Sequence, residues 1–181
     1  MAMLAMLCTS GVLPSPRSSQ RFNAACVLAL LGLSILLVGC ASGEPAADFT
    51  LTSFDGEEFR LSEQRGNAVV INFWYPSCPP CRDEMPAFQD AWEKYQGRNV
   101  RFIGLFVPQG FDTEESAREF VEELGLTFTF ATDVRAGVAQ AYSVQYFPTT
   151  YFIDQGGRVH LMEISRMDVD RLTEILDDML G

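Results

Sequence analysis

Histidine is nearly absent: His160 is the only one in 181 residues. Zinc sites generally take four ligands, often from two Cys-x-x-Cys pairs or a Cys/His set. This chain offers one such pair and one histidine, so a structural zinc site is not expected. His160 stands between Val159 and Leu161 on a predicted strand and reads as a structural or surface residue rather than a catalytic base. Cysteine is also scarce where it would build a scaffold. Of five cysteines, Cys8, Cys26 and Cys40 precede the patterned part of the chain, and only Cys78 and Cys81 lie within it, which rules out a structural disulfide framework. Positive charge is short as well. With Arg17 and Arg21 set aside, 11 basic residues face 24 acidic ones. Such a surface argues against nucleic acid and against adhesion to anionic lipid. There are no internal repeats and no low-complexity tracts. Against these gaps, 48% of residues are apolar and 20% charged, as expected of one domain with a core plus an extension.

The longest apolar run, Ala24 to Gly39, has 16 residues, fewer than the roughly 20 a membrane-spanning helix needs. It follows Arg17 and Arg21 and suits the apolar region of an export signal. It ends Leu37-Val38-Gly39-Cys40, which resembles the lipobox of bacterial lipoproteins. That resemblance implies cleavage before Cys40 and diacylation of its thiol. Two chains on one residue give stable attachment where one would not. An uncleaved anchor and ordinary signal cleavage are the alternatives, and all three place the domain outside the cytoplasm. The expected organisation is a signal over residues 1–39, a tether over 40–47 and one domain over 48–181.

Within that domain, Phe49 to Leu61 alternates around Asp55-Gly56 and reads as a hairpin. Ala68 to Trp74 is almost continuously apolar, as in a strand buried on both faces. A helix is predicted from about Pro79 to Tyr95, and a second buried strand over Val100 to Val107. Asp112 with Glu115 reads as a capping box opening a helix that Gly125 ends. A short strand near Phe128 to Ala131 and a helix near Arg135 to Tyr142 follow. Thr149 to Ile153 and Arg158 to Ile164 form a hairpin about Gly156-Gly157. Asp168 caps a last amphipathic helix. The fold class is therefore α/β: a central mixed sheet flanked by helices, with an N-terminal hairpin.

Cys78-Pro79-Pro80-Cys81 is the most reactive pattern in the chain. A thiol at the first turn of a helix faces unpaired backbone N–H groups and the positive end of the dipole, and both favour a thiolate. Proline is tolerated there because those donors lack intrahelical partners anyway. Cys78 is expected to be the exposed nucleophile of lowered pKa, and Cys81 the resolving thiol. Cys78 would attack a disulfide, and Cys81 would then displace the product and close the Cys78–Cys81 bond. No cofactor beyond that pair is expected. A bridge this short does little as a purely structural constraint.

The run Asn72 to Pro86 (Asn-Phe-Trp-Tyr-Pro-Ser-Cys-Pro-Pro-Cys-Arg-Asp-Glu-Met-Pro) resembles the thioredoxin superfamily, in particular its membrane-tethered TlpA/ResA-like thiol-disulfide oxidoreductases. Phe147-Pro148-Thr149-Thr150-Tyr151-Phe152-Ile153-Asp154 resembles that family's second signature. The likeness spans about Ala46 to Gly181. It implies a thioredoxin-like fold, a cis Pro148 facing the dithiol, and an adjacent backbone that pairs with extended substrate. Pro86 matches the family's helix-kinking proline, and Trp74 the aromatic beneath the active-site loop, though it would serve equally as core. Glu84 matches an acidic residue that modulates thiol titration in this subgroup, with a surface glutamate as the plain alternative. Asn72 stands where cytoplasmic thioredoxins carry a buried Asp. Ser77, in place of the usual tryptophan, and the bulky Phe147 depart from the pattern and bear on substrate choice. The implied function is an extracytoplasmic reductant, for example in cytochrome c maturation. Its implied partners are protein dithiols or disulfides and a membrane electron donor, and the expected state is a monomer.

Two rival functions compete with the exchange enzyme. AhpC/TSA peroxiredoxins resemble this chain in fold and in the Trp-Tyr-Pro neighbourhood, with Arg82 or Arg135 available beside the thiol. Their Pro-x-x-x-Thr-x-x-Cys pattern is not met, since Pro76 precedes Cys78 by only two residues. A chaperone or peptide-binding module using the groove beside Pro148 would not need Cys78 at all.

Overall fold

The computed structural model describes residues 43–181. The signal-segment and lipidation expectations, Cys40 included, fall outside the described residues. A small antiparallel hairpin, β1 (Thr50–Thr52) with β2 (Glu58–Arg60), precedes a five-stranded sheet. The sheet is built from β3 (Ala68–Trp74), β4 (Val100–Phe106), β5 (Thr129–Thr132), β6 (Thr149–Ile153) and β7 (Val159–Glu163), in the order β5-β4-β3-β6-β7. β3, β4 and β5 are parallel, β6 is antiparallel to β3, and β7 is antiparallel to β6. Among the described residues there are four α-helices, α1 (Pro79–Tyr95), α2 (Glu114–Glu123), α3 (Gly137–Ala141) and α4 (Val169–Leu180), and a short 3-10 turn over Leu61–Gln64.

The central strand explains its own composition. All seven residues of β3 are buried. Its period of two sends Ala68, Val70 and Trp74 into a core with Cys81, Met85, Phe88 and Tyr95 of α1 and Leu172 and Leu176 of α4. Val69, Ile71 and Phe73 point the other way, onto the hairpin and α3. A strand between two such layers has no wet face, so alternation is lost from its sequence. Gly104, opposite Asn72 in the register, is a glycine for packing reasons. A Cβ there would sit 2.5 Å from the Phe130 ring.

The N-terminal segment covers part of each sheet edge, where backbone groups would otherwise go unpaired. Phe54 N donates to Phe130 O at 2.7 Å on the β5 side. On the β7 side, Ala46 N donates to Gly157 O and Val159 N to Glu44 O. Glu44 to Ala46, read from the sequence as tether, therefore lie along the sheet edge.

Two local expectations shift. The capping box is Thr113 with Ser116, one residue beyond Asp112 and Glu115: Ser116 N donates to Thr113 Oγ1, and Thr113 N to Ser116 Oγ. Asp112 is unavailable because its carboxylate is engaged by Ser77. The helix expected over Arg135–Tyr142 is regular only over Gly137–Ala141, since Ala136 adopts a left-handed conformation (φ 52°). Asp168 caps α4 as expected, accepting from Arg171 N at 2.9 Å.

Candidate active site

The dithiol lies at the junction of β3 and α1. The chain leaves β3 at Trp74, turns with Cys78 N donating to Tyr75 O at 3.2 Å, and enters α1 with Cys78 as N-cap. Pro79 and Pro80 occupy the first two helical positions and supply no N–H. The first amide the helix can offer is that of Cys81, and it donates to Cys78 Sγ at 3.2 Å. Two prolines thus direct the helix's leading donor onto one sulfur. Cys78 and Cys81 are joined as a disulfide with their Cα atoms 5.3 Å apart.

The expected exposure of Cys78 is not met. It is 2% exposed, against 0% for Cys81. The bridge draws the Cys78 sulfur onto the first turn of the helix, toward a partner that is fully buried. Its neighbours Ser77, Pro79 and Pro80 are exposed, so approach to the pair is over these three residues.

Glu84 is not a surface residue. It lies one turn past Cys81 on the buried stripe of α1 and is fully buried. Asn72 Nδ2 donates to its Oε1 at 2.8 Å, and Met167 N, just ahead of α4, donates to Oε2 at 3.2 Å. Asn72 also donates to Thr150 Oγ1 at 3.0 Å, its register partner on β6, while its own Oδ1 has no hydrogen-bond partner. Burial pushes the Glu84 carboxyl up to about 8, with the Asn72 and Met167 hydrogen bonds and the Arg166 charge pulling the other way. A carboxyl that titrates near neutrality one turn from a dithiol can hold or release a proton during exchange.

Phe147–Pro148 is a cis peptide bond, as the resemblance implied. Pro148 is buried, and the half-buried Phe147 packs edge-on against Tyr75 at 5.2 Å. That contact ties the loop before β6 to the dithiol loop. Trp74 is core, surrounded by Phe106, Phe120 and Phe130 at 5.2–6.0 Å, with its Nε1 buried and unpartnered. Arg82 is engaged elsewhere: its guanidinium lies 4.5 Å over the Phe120 ring and reaches the Pro76 carbonyl at 3.4 Å. Arg135 lines a groove between the hairpin and α3, with Phe49 and Tyr142. His160 pairs with Asp178 at 3.3 Å. Among the described residues, no group of three or more side chains could hold a metal ion.

Sequence reasoning missed Met167 and the Ser77–Asp112 hydrogen bond, at 2.6 Å. Neither carries a local signal, because each joins segments far apart in the chain. The Glu84 burial did carry one: positions 81, 84, 85, 88, 91 and 95 form a single helical stripe.

Fold and dithiol together define a thioredoxin-fold thiol-disulfide oxidoreductase. The chain belongs to the AhpC/TSA family, whose model matches residues 42–162. It is 36% identical over 137 residues to the thiol-disulfide oxidoreductase ResA of Geobacillus kaustophilus, covering 74% of this chain and 77% of that protein. Among solved structures, it is similar to a putative thiol:disulfide interchange protein DsbE from Chlorobium tepidum, with a TM-score of 0.70 and 27% identity over 77% of this chain and 97% of that one. A putative thioredoxin from Neisseria meningitidis is similar at TM-score 0.69 and 30% identity, over 76% and 91% of the two chains.

Proposed function

We propose that this oxidoreductase acts as a reductant of protein disulfides outside the cytoplasm, anchored through Cys40, in the kind of role that cytochrome c maturation requires. The Cys78 thiolate attacks one sulfur of a client disulfide. A Cys78–client bond forms, and the other client sulfur leaves as a thiolate that takes up a proton. Cys81, having lost its proton, attacks Cys78 Sγ and expels the second client thiolate. The client gains two electrons and two protons, and the Cys78–Cys81 bond is restored. Pro148 and Phe147 border the path of the client, and a donor at the membrane re-reduces the pair.

The observation that carries this reading is the single amide hydrogen bond to Cys78 Sγ. A strongly oxidising pair has a highly stabilised reduced form. Here Pro79 and Pro80 withhold two of the donors that would stabilise the thiolate. A carboxylate also lies close by, that of Asp112, hydrogen-bonded to the residue before Cys78. Both effects favour the disulfide over the dithiol and so lower the potential. Equilibration of the purified protein with glutathione and dithiothreitol buffers tests this. A potential of about −270 mV or below is expected for a reductant, and one near about −120 mV would overturn the direction.

The anchor has its own test. Mass spectrometry of the mature protein is expected to find Cys40 as the first residue, carrying diacylglycerol through its thiol. A mature chain that retains residues 1–39, or one that starts beyond Cys40, would refute lipid anchoring.

A further inference from the structure

Phe111 is fully exposed and Tyr146 is 63% exposed. Topology brings these two rings to the reaction centre. β4 runs parallel to β3, with Phe106 opposite Trp74, and β6 runs antiparallel, with Thr149 opposite Phe73. The loop leaving β4 and the loop entering β6 therefore emerge at the end of the sheet where β3 feeds the dithiol. They lie on its two sides, about 10 Å apart across two strand spacings. Phe111 stands on the first loop. That loop turns at Gly110 (φ 55°), is closed by Asp112 N donating to Gln109 O, and is pinned by the Ser77–Asp112 hydrogen bond. Tyr146 stands on the second, which is held by Thr149 Oγ1 donating to Tyr146 O at 2.7 Å and by the Phe147–Tyr75 contact. The backbone under both rings is fixed while the rings themselves face water.

We propose that Phe111 and Tyr146 are the specificity-determining residues of this enzyme, gripping an extended client segment that carries bulky apolar residues on both sides of its cysteine. The proposal rests on the dithiol-exchange reading and names the client chemistry it selects. Exposed aromatics on rigid backbone are the side chains that dominate recognition surfaces when covered. The client is extended because the gap between the rings leads over Ser77, Pro79 and Pro80 rather than into a cavity. It is not acidic, because Asp112 and the exposed Glu114 and Glu115 adjoin Phe111 in a strongly acidic protein. A basic residue beside the apolar ones is matched there, and an acidic one is repelled.

The test compares three disulfide-linked peptides with leucine, glycine or glutamate flanking each cysteine, reduced by the full-length protein. The wild type is expected to favour the leucine peptide over the glycine peptide by about tenfold in kcat/KM, expressed in KM, through partial burial of two rings. The glutamate peptide should be the poorest of the three. In Phe111→Ala and Tyr146→Ala the leucine-to-glycine ratio should fall, reaching about one in the double variant. Because it is a ratio within each variant, a general loss of reactivity cancels. Met162→Ala, which removes an exposed apolar side chain on β7, should keep the wild-type ratio. A wild-type ratio of one, or a ratio that survives in the double variant, overturns the proposal. Failure of the wild type to reduce any of the three peptides would sink the exchange reading itself, and this proposal with it.

Discussion

Replacing Cys78 with serine is expected to reduce disulfide-exchange turnover by roughly 10³ or more, to the uncatalysed background. A serine hydroxyl at the same N-cap can still accept the Cys81 N–H, so the helix start survives, but it supplies no thiolate. Cys81→Ser should behave differently. Its Cys78 still attacks, forms the client bond and then has no neighbour to resolve it. Covalent adducts should therefore accumulate on a non-reducing gel and disappear with dithiothreitol, while turnover stops. The two variants together assign the roles, because Cys78→Ser should trap nothing. If Cys78→Ser kept turnover, or if the adducts formed through Cys81 instead, the order of the two thiols would be wrong. Retention of biological function by Cys78→Ser would favour a peptide-binding module over an enzyme.

The elements that position this chemistry were largely legible in the sequence, since each rests on a local pattern. β3 shows as an uninterrupted apolar run, α1 as a stripe from Cys81 to Tyr95 with prolines in its first turn, and α4 as Asp168 followed by an amphipathic helix. What was not legible depends on contacts between distant segments. Thr113 rather than Asp112 caps α2 because Ser77, 35 residues earlier, takes the Asp112 carboxylate. Cys78 is covered rather than exposed because the closed bridge holds it against Cys81. Glu84 is the instructive case. Its spacing from Cys81, Phe88 and Tyr95 places it on the buried stripe, but a charged residue type argues for the surface. The conflict resolves only once Asn72 from β3 and the Met167 amide from the segment before α4 are seen to meet it.

That buried carboxyl sets the second large effect. A Glu84 group held near 8, against 4.5 in an unfolded chain, binds its proton more tightly in the folded protein. The unfolded state therefore loses this proton first as the pH rises. The associated stability is fully present below about 4.5 and is lost as the pH climbs through about 8. With the disulfide kept closed, so that neither thiol titrates, this one group should make the wild type less stable at pH 9 than at pH 4 by roughly 3–5 kcal/mol. Glu84→Gln preserves the shape and keeps one acceptor oxygen for either the Asn72 amide or the Met167 N–H, and it carries no charge to bury. Urea unfolding of the two proteins across that range should show the variant's stability gaining on the wild type as the pH rises, by the same amount. Parallel pH profiles would mean that Glu84 titrates in the fold as it does in the unfolded chain and is ionised at neutral pH, so that it holds no proton beside the dithiol there.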